Sequence, residues 1–186
     1  MSGLGGFGSG KGDLLLAALL KMAKPKVFVS YHHQRDQWYY DQFSTLFADG
    51  YNIITDKSIE RSIGSDDVDY QQQVIREEHI TGSSITIVLC GAETWKRRWV
   101  DWEIDMTLTK EHALLGICLP TNPRDINGKF TVPDRLHANI VSGYAHFIQW
   151  TEDPSVIRLA IENARNRAKQ TRLIANSAPR MERSRP

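Results

Sequence analysis

The alternation of apolar and polar stretches along the chain predicts five strands separated by helices. Five short runs are rich in β-branched and aromatic residues, as strands are; they are Lys26–Tyr31, Tyr51–Thr55, Ser84–Cys90, Ala113–Leu119 and Tyr144–Trp150. The third and fourth runs are apolar throughout, which is typical of central strands in a parallel sheet, and the last is expected at an edge. Strands that alternate with helices favour right-handed crossovers and a sheet covered on both faces. We therefore predict an α/β fold with a flavodoxin-like order of five parallel strands.

Helical periodicity accounts for most of the intervening sequence. Residues 34–48 predict a helix whose buried set is expected to be Trp38, Phe43, Leu46 and Phe47. A second helix is capped by Asp66 or Asp67 and ends near Glu78, and the last one begins at Asp153 and Pro154, a favoured cap-then-proline pair. Residues 120–135 contain three prolines and an Asn-Gly pair, so we predict a long loop there.

The stretch between the third and fourth strands predicts a helix with three tryptophans and one inward-facing acid. At about 100° per residue the helix has two apolar stripes; they are Trp95, Trp99, Trp102 and Met106, and Val100, Ile104 and Leu108. Arg98, Asp101 and Asp105 fall in one polar sector, and Glu103 lies opposite that sector, between the stripes. The Glu103 carboxylate is therefore expected to point into the protein. Such a group is either paired with a buried cation or faces a cleft where it has a chemical role, and the pattern leaves both readings open.

The length and composition of the chain indicate one domain of ordinary size. We expect a domain over residues 25–174, a flexible N-terminal extension (1–24) with a short apolar helix, and a flexible C-terminal tail (175–186). The apolar run near the N-terminus is too short to span a membrane. A formal net charge of +1 argues against nucleic acid as a partner. Both cysteines end apolar runs and no metal-ligand spacing occurs, so we expect reduced thiols, no metal and a cytoplasmic protein.

The candidate cleft lies where the strands end. In an open parallel sheet, ligands bind beyond the carboxyl ends of the strands, at the point where the strand order reverses. The first strand delivers Tyr31 and His32 to that edge, and the second delivers Asp56 and Ser58. Neither a GxGxxG sequence nor a Walker loop is present to hold phosphates. The fold locates a cleft but does not by itself assign a function.

Three sequence blocks resemble one family. The segment VFVSYHHQRD, a second strand ending in Asp56-Lys57-Ser58, and the block ITIVLCGAETWKRRWVDWEI together resemble the TIR-like family typified by the small enzymatic subunit of Thoeris anti-phage defence. The resemblance covers about residues 26–119, and its most specific part is Arg97–Ile104. It implies a TIR-type three-layer sandwich and cleavage of NAD+ to a cyclic ADP-ribose isomer. It also implies that Glu103 is the catalytic carboxylate and that Trp99 is the tryptophan commonly found four residues earlier.

This resemblance defines the expected substrate and partners. NAD+ is the substrate and no further cofactor is expected; Tyr31, His32, Asp56, Ser58 and Trp99 are the candidate substrate-binding residues. The chain carries no Thoeris effector domain, so its nucleotide signal would have to diffuse to a separate effector. Two alternatives remain: a non-catalytic TIR-like scaffold, and a receiver-type binding module. The second is weak because the first strand ends in Tyr-His-His where a receiver needs acids.

Self-association is a further expectation. The stretch Leu14–Leu20 would cover nearly the whole circumference of a helix with leucine and alanine, which is unfavourable in water. TIR domains of the resembling family often act as oligomers in which the loop after the second strand, here Asp56–Asp66, shapes the site between neighbours. We therefore expect a homo-oligomer.

Overall fold

The computed structural model describes residues 25–47, 50–54, 73 and 76–186. Its five strands are β1 (Lys26–Ser30), β2 (Asn52–Ile54), β3 (Ile85–Cys90), β4 (Ala113–Cys118) and β5 (His146–Gln149). Its helices are α1 (His33–Phe47), α2 (described over 76–82), α3 (Arg98–Thr109), α4 (Asp134–Ser142) and α5 (Pro154–Ala168). Short 3-10 turns lie at Thr94–Lys96 and Thr171–Leu173.

The sheet has the predicted topology. Its strand order is β2-β1-β3-β4-β5, and every pairing is parallel. All six residues of β3 and all six of β4 are buried, which confirms them as central strands, and β5 lies at an edge as expected. The order reverses between β1 and β3, so the crevice at their carboxyl ends is where ligands bind in such folds.

Helices cover both faces of the sheet. One core cluster joins the sheet to α1 and α5 through residues such as Phe43 and Ile161, and a second joins it to α3 and α4 through Ile104 and Leu136. These two layers make the predicted three-layer sandwich. The cap of α5 also has the predicted form, because the Asp153 side chain accepts a hydrogen bond from the Ser155 backbone N–H.

Two local predictions are wrong. Trp38 is 55% exposed, because the buried face of α1 is instead formed by Asp36, Tyr40, Phe43 and Phe47, at helical spacings that place Trp38 on the far side. The helix α4 was not predicted, and it begins at Asp134, inside the expected long loop. Its N-cap is Pro133 and its C-cap is Gly143, whose φ of 87° is the left-handed conformation that glycine adopts readily.

The structure describes the C-terminal end of the chain but not the N-terminal end. Residues 1–24, including the predicted apolar helix, lie outside the described residues, as does the predicted loop Asp56–Asp66. Residues 175–186, for which the sequence predicts flexibility, contact α3 and α4 through Asn176, Met181 and Arg185. No helix among the described residues has both the length and the apolar character needed to cross a membrane.

Candidate active site

Glu103 is buried and paired with an arginine. Its position on α3 turns it inward as the periodicity predicts, and it is 5% exposed. Arg76, on α2, is 4% exposed and places its Nε 3.0 Å from Glu103 Oε1. Attraction within such a pair offsets part of the cost of burying each charge, and the hydrogen bond fixes the orientation of the carboxylate. The sequence left a buried cation open as a possibility but did not identify Arg76.

Trp99 lies beside this pair. The guanidinium of Arg76 is 4.3 Å from the Trp99 ring centroid, and that of Arg98 is 4.6 Å away. Arginine over an indole face is a favourable contact of roughly 0.5–2 kcal/mol, depending on desolvation. Arg76 thus joins the two residues of greatest interest, Glu103 and Trp99, in one cluster.

The core side chains that pack against Trp99 are apolar, and one of them, Phe28, belongs to strand β1. Trp102 is 7% exposed and packs with Phe28, Ile80 and Met106, so it belongs to the core, in agreement with its place on an apolar stripe of the helix. The indoles of Trp99 and Trp102 meet edge to face with centroids 6.2 Å apart. These contacts join the two indoles to the core, and Arg76 links Trp99 to the Glu103 carboxylate.

Tyr31 and His32 lie in a second cluster at the carboxyl end of β1. Tyr31 is 3% exposed, stacks on Tyr40 with ring centroids 4.7 Å apart, and donates its hydroxyl hydrogen to Gln37 at 2.9 Å. His32 Nε2 is 3.8 Å from the carboxylate of Glu93. The structure therefore places Tyr31 among core rings and His32 beside an acidic residue at the sheet edge.

Glu93 forms ion pairs with three basic side chains at this edge of the sheet. Arg35, Lys96 and Arg97 approach its carboxylate to 2.8, 3.5 and 3.3 Å. Desolvation works to raise the pKa of Glu93, but the charges of Arg35 and the other two cations outweigh it and hold that pKa below its ordinary value. The cluster carries more positive than negative charge, which is suited to an anionic ligand group.

Asp36 is a buried acid that the sequence analysis missed. It is 1% exposed, and hydroxyl groups of Thr94 and Thr121 lie 3.1 and 3.5 Å from its carboxylate oxygens. Burial raises the pKa of Asp36, and these hydrogen bonds oppose the shift. A Cβ at Gly91 would come within 2.2 Å of the Asp36 carboxylate, so the glycine after β3 is required by this close approach. Asp36 thereby ties α1 to the loops that follow β3 and β4.

Two of the candidate residues, Asp56 and Ser58, lie outside the described residues. Within the described part of the chain, no group of three or more His, Cys, Asp or Glu side chains is arranged to hold a metal ion. Cys90 and Cys118 are free and buried, as expected of core thiols. Burial raises the pKa of Cys118 to about 11, so it is a thiol at neutral pH and a poor nucleophile.

The burial of His32 predicts that stability falls in mild acid. Burial, and then the charge of Arg97, hold the pKa of His32 below its ordinary value of 6.5. The unfolded chain therefore binds the proton more readily, and the free energy of unfolding falls as the pH drops through 6.5. His32→Gln should remove this contribution, which is at most about 1.4 kcal/mol per pH unit. Urea unfolding at pH 7, 6 and 5 measures it.

The exposed His137 provides the matched control. His137→Gln should keep the wild-type pH dependence of the unfolding free energy. His32→Gln should make that dependence shallower, and the rest should remain because burial also lowers the pKa values of His112 and His146. If the two variants had parallel profiles, His32 would not be held neutral by the fold.

Comparison with known proteins points to one family. The family model described as "Thoeris protein ThsB, TIR-like domain" matches residues 28–124, slightly more than half of the chain, and this range includes Tyr31, Trp99 and Glu103. No curated protein matches the chain. Among solved structures, the TIR domains of the activated Roq1 resistosome directly recognizing the pathogen effector XopQ are similar at 12% identity, over 79% of this chain and 85% of that chain, with a TM-score of 0.39. A similarity that weak defines neither a partner nor an assembly.

Proposed function

The chain belongs to the TIR-like domain family of the Thoeris protein ThsB, and from this we propose that it cleaves NAD+ at the nicotinamide–ribose bond and makes a cyclic ADP-ribose type signal. The observation that carries the proposal is the environment of Glu103. It is a buried carboxylate held in place by Arg76, whose guanidinium also lies over the indole of Trp99. Many acids in folded proteins are exposed, and one that is buried and held in a fixed orientation is a candidate for chemistry.

The reaction suits a single carboxylate. When the bond between C1′ and the nicotinamide nitrogen breaks, the bonding electrons leave with nicotinamide, which departs neutral and needs no general acid. The ribose is left with oxocarbenium character, as in glycoside hydrolysis, and a carboxylate close to C1′ stabilises that developing charge. An adenine nitrogen of the same molecule then bonds to C1′ to give the cyclic product and a proton, or water attacks to give linear ADP-ribose and a proton.

The remaining candidate residues fit substrate binding in different ways. Trp99 offers a flat apolar surface for a heterocycle, although Arg76 and Arg98 now lie over that ring, so a stacked substrate would have to displace one of them. His32 and the cations around Glu93 lie at the sheet edge, where the pyrophosphate of a dinucleotide can be held. Tyr31 would act from the core behind them. Asp56 and Ser58 remain candidates by their place in the sequence.

A non-catalytic scaffold is the second candidate function. It is favoured by the same ion pair, because a buried Glu–Arg pair is also a common structural feature. Incubating the purified full-length chain with NAD+ and following nicotinamide separates the two functions. Mass spectrometry of the remaining product then distinguishes cyclic from linear ADP-ribose, since the cyclic form is lighter by one water.

The proposed role is bacterial anti-phage defence in the cytoplasm. The signal would be diffusible, because Glu103 and its surroundings account for making a nucleotide product and not for responding to it. A separate effector protein would therefore bind the product. Neither nucleic acid nor a membrane is needed for this chemistry.

We expect the active form to be a homo-oligomer. If the apolar stretch Leu14–Leu20 associates with other copies, specific activity should rise with protein concentration, because the monomer has little activity of its own. Sedimentation and NAD+ turnover measured over the same dilution series test this, with a variant lacking residues 1–23 as the comparison. Monomeric full-length protein with flat specific activity would contradict the assembly and leave the role of Glu103 intact.

A further inference from the structure

The side of α3 opposite Glu103 carries two more buried acids. Asp101 and Asp105 are each 7% exposed. Arg135, on α4 and 2% exposed, reaches both: its Nε is 3.0 Å from Asp101, and its Nη1 is 3.5 Å from Asp105. One arginine therefore faces two carboxylates. A buried negative charge without a full partner is costly, so this surface calls for a second cation.

The C-terminal segment supplies that cation. Arg180 pairs through its Nε with the Asp105 carboxylate, and its guanidinium lies 6.0 Å from the ring centroid of Trp102. The backbone N–H of the next residue, Met181, donates to Asp101 at 2.8 Å. Both acids of α3 thus gain a partner from residues 180 and 181.

Five residues further on, Arg185 repeats the arrangement. Its guanidinium is 2.6 Å from the Asp134 carboxylate and 5.4 Å from the Trp95 ring centroid, and its backbone N–H donates to the carbonyl of Lys96 at 2.8 Å. Arg180 and Arg185 each meet one carboxylate and one indole. That combination recognises arginine specifically, because guanidinium both pairs with acids and stacks on aromatic faces.

The fit is that of a bound peptide and not of a packed core. The side chains of Arg180 and Arg185 are 49% and 43% exposed. A cavity of about 270 Å³ remains between the segment and the helices, lined by Asp101 and Arg135 among others. This cavity is partly open to solvent, so the segment does not fill the space beside the helices completely.

The chain just before the segment is bound in a different way. Both backbone groups of Ala175 bond to the side chain of Asn139, which is fully buried: the Ala175 N–H donates at 3.0 Å and its carbonyl accepts at 2.9 Å. Leu173 and Ile174 also pack against the core formed by α3 and α4. The chain is therefore anchored through Asn176, whose side chain also accepts a hydrogen bond from the buried Arg135, and the part beyond it lies on the surface.

We propose that this surface is a peptide-binding groove for arginine-bearing segments. The arginine groove is formed by Trp95, Asp101, Trp102, Asp105 and Asp134. Its occupant is the strap, residues 179–186 of the same chain, which carries three arginines against one glutamate. The strap lies outside residues 28–124, the range that the family model matches. The proposal stands independently of NAD+ cleavage.

The test compares the full-length wild type with the full-length double variant Arg180→Glu/Arg185→Glu. In the variant, both arginine contacts become repulsive and the strap should leave the groove. Amide hydrogen exchange at Met181 and Arg185 should then become at least about tenfold faster, because their hydrogen bonds are lost. A fluorescein-labelled peptide of residues 179–186 should bind the variant at least about tenfold more tightly than the wild type, whose groove is already occupied.

Two matched controls isolate the groove. The same peptide with both arginines replaced by glutamate should not bind, and Asp105→Asn in the double-variant background should weaken binding of the native peptide. If the double variant does not fold, Arg185→Ala replaces it, since that residue contacts the exposed Asp134 and its loss cannot disrupt the core.

The outcomes decide the proposal. Faster exchange together with tighter peptide binding supports it. Unchanged exchange in the variant overturns it, as does a released strap that leaves a surface with no affinity for the peptide. A wild-type dimer that the peptide converts to monomer would overturn the assignment of the occupant to the same chain, because the strap of a second copy would then fill the groove.

Discussion

Replacing Glu103 with glutamine is expected to lower the rate of NAD+ cleavage about 10²–10³-fold while the protein stays folded. Glutamine keeps the shape of the side chain and an oxygen that can accept the hydrogen bond from Arg76, so the core around it is preserved. What it removes is the negative charge that, in the proposed reaction, faces the ribose as positive charge develops there. The loss of one central electrostatic stabiliser typically has this effect on the rate. Steady-state turnover and a thermal melt on the same preparation measure both expectations.

Glu162→Gln is the matched control, since Glu162 is exposed on α5. Its turnover and melting temperature should equal those of the wild type. Near-normal turnover in a folded Glu103→Gln variant would remove Glu103 from the mechanism. The Arg76–Glu103 pair would then be a structural contact.

Trp102→Ala is expected to destabilise the fold by about 3–5 kcal/mol. Its indole is 7% exposed and fills the space between β1, α2 and α3 with Phe28, Ile80 and Met106. Removing a buried tryptophan leaves a cavity that such a core closes only in part, and this accounts for the magnitude. Denaturant unfolding measures the loss. Activity in Trp102→Ala should follow the folded fraction.

Trp99→Ala provides the comparison, because Trp99 is only partly buried and packs at the margin of the same cluster. Its loss removes contacts with two arginine side chains, each worth roughly 0.5–2 kcal/mol, and opens no comparable cavity. We expect activity to fall more than stability. Equal losses of stability in both variants, with activity following the folded fraction in each, would assign both tryptophans to the core alone.

The sequence predicted the parts of this fold that local periodicity determines. Continuous apolar runs identified β3 and β4 as central strands, and the angular position of Glu103 predicted its burial. The inward direction of an acid follows from the 3.6-residue repeat of its own helix. The family resemblance then gave that acid an expected role.

What the sequence did not predict depends on contacts between distant segments. Arg76 pairs with Glu103 across 27 positions, and Asp36 meets Thr94 across 58. No local repeat encodes such pairings. The polar sector of α3 illustrates the same limit: its spacing showed that Asp101 and Asp105 share one side of the helix, but not that Arg135 and the strap cover them. The prediction for Trp38 was wrong for another reason. It relied on the hydrophobicity of the side chain alone, whereas the buried face of α1 lies on the other side of the helix.

The central claim is tested most directly by measuring nicotinamide released from NAD+ by the purified full-length chain. The assay is run at the highest concentration of the dilution series, with and without extract from phage-infected cells to supply an activating trigger, and with Glu103→Gln beside the wild type. We predict that the wild type releases one nicotinamide for each ADP-ribose type product, and that Glu103→Gln releases about 10²–10³-fold less. A folded wild-type protein that releases no nicotinamide in either condition would contradict the account.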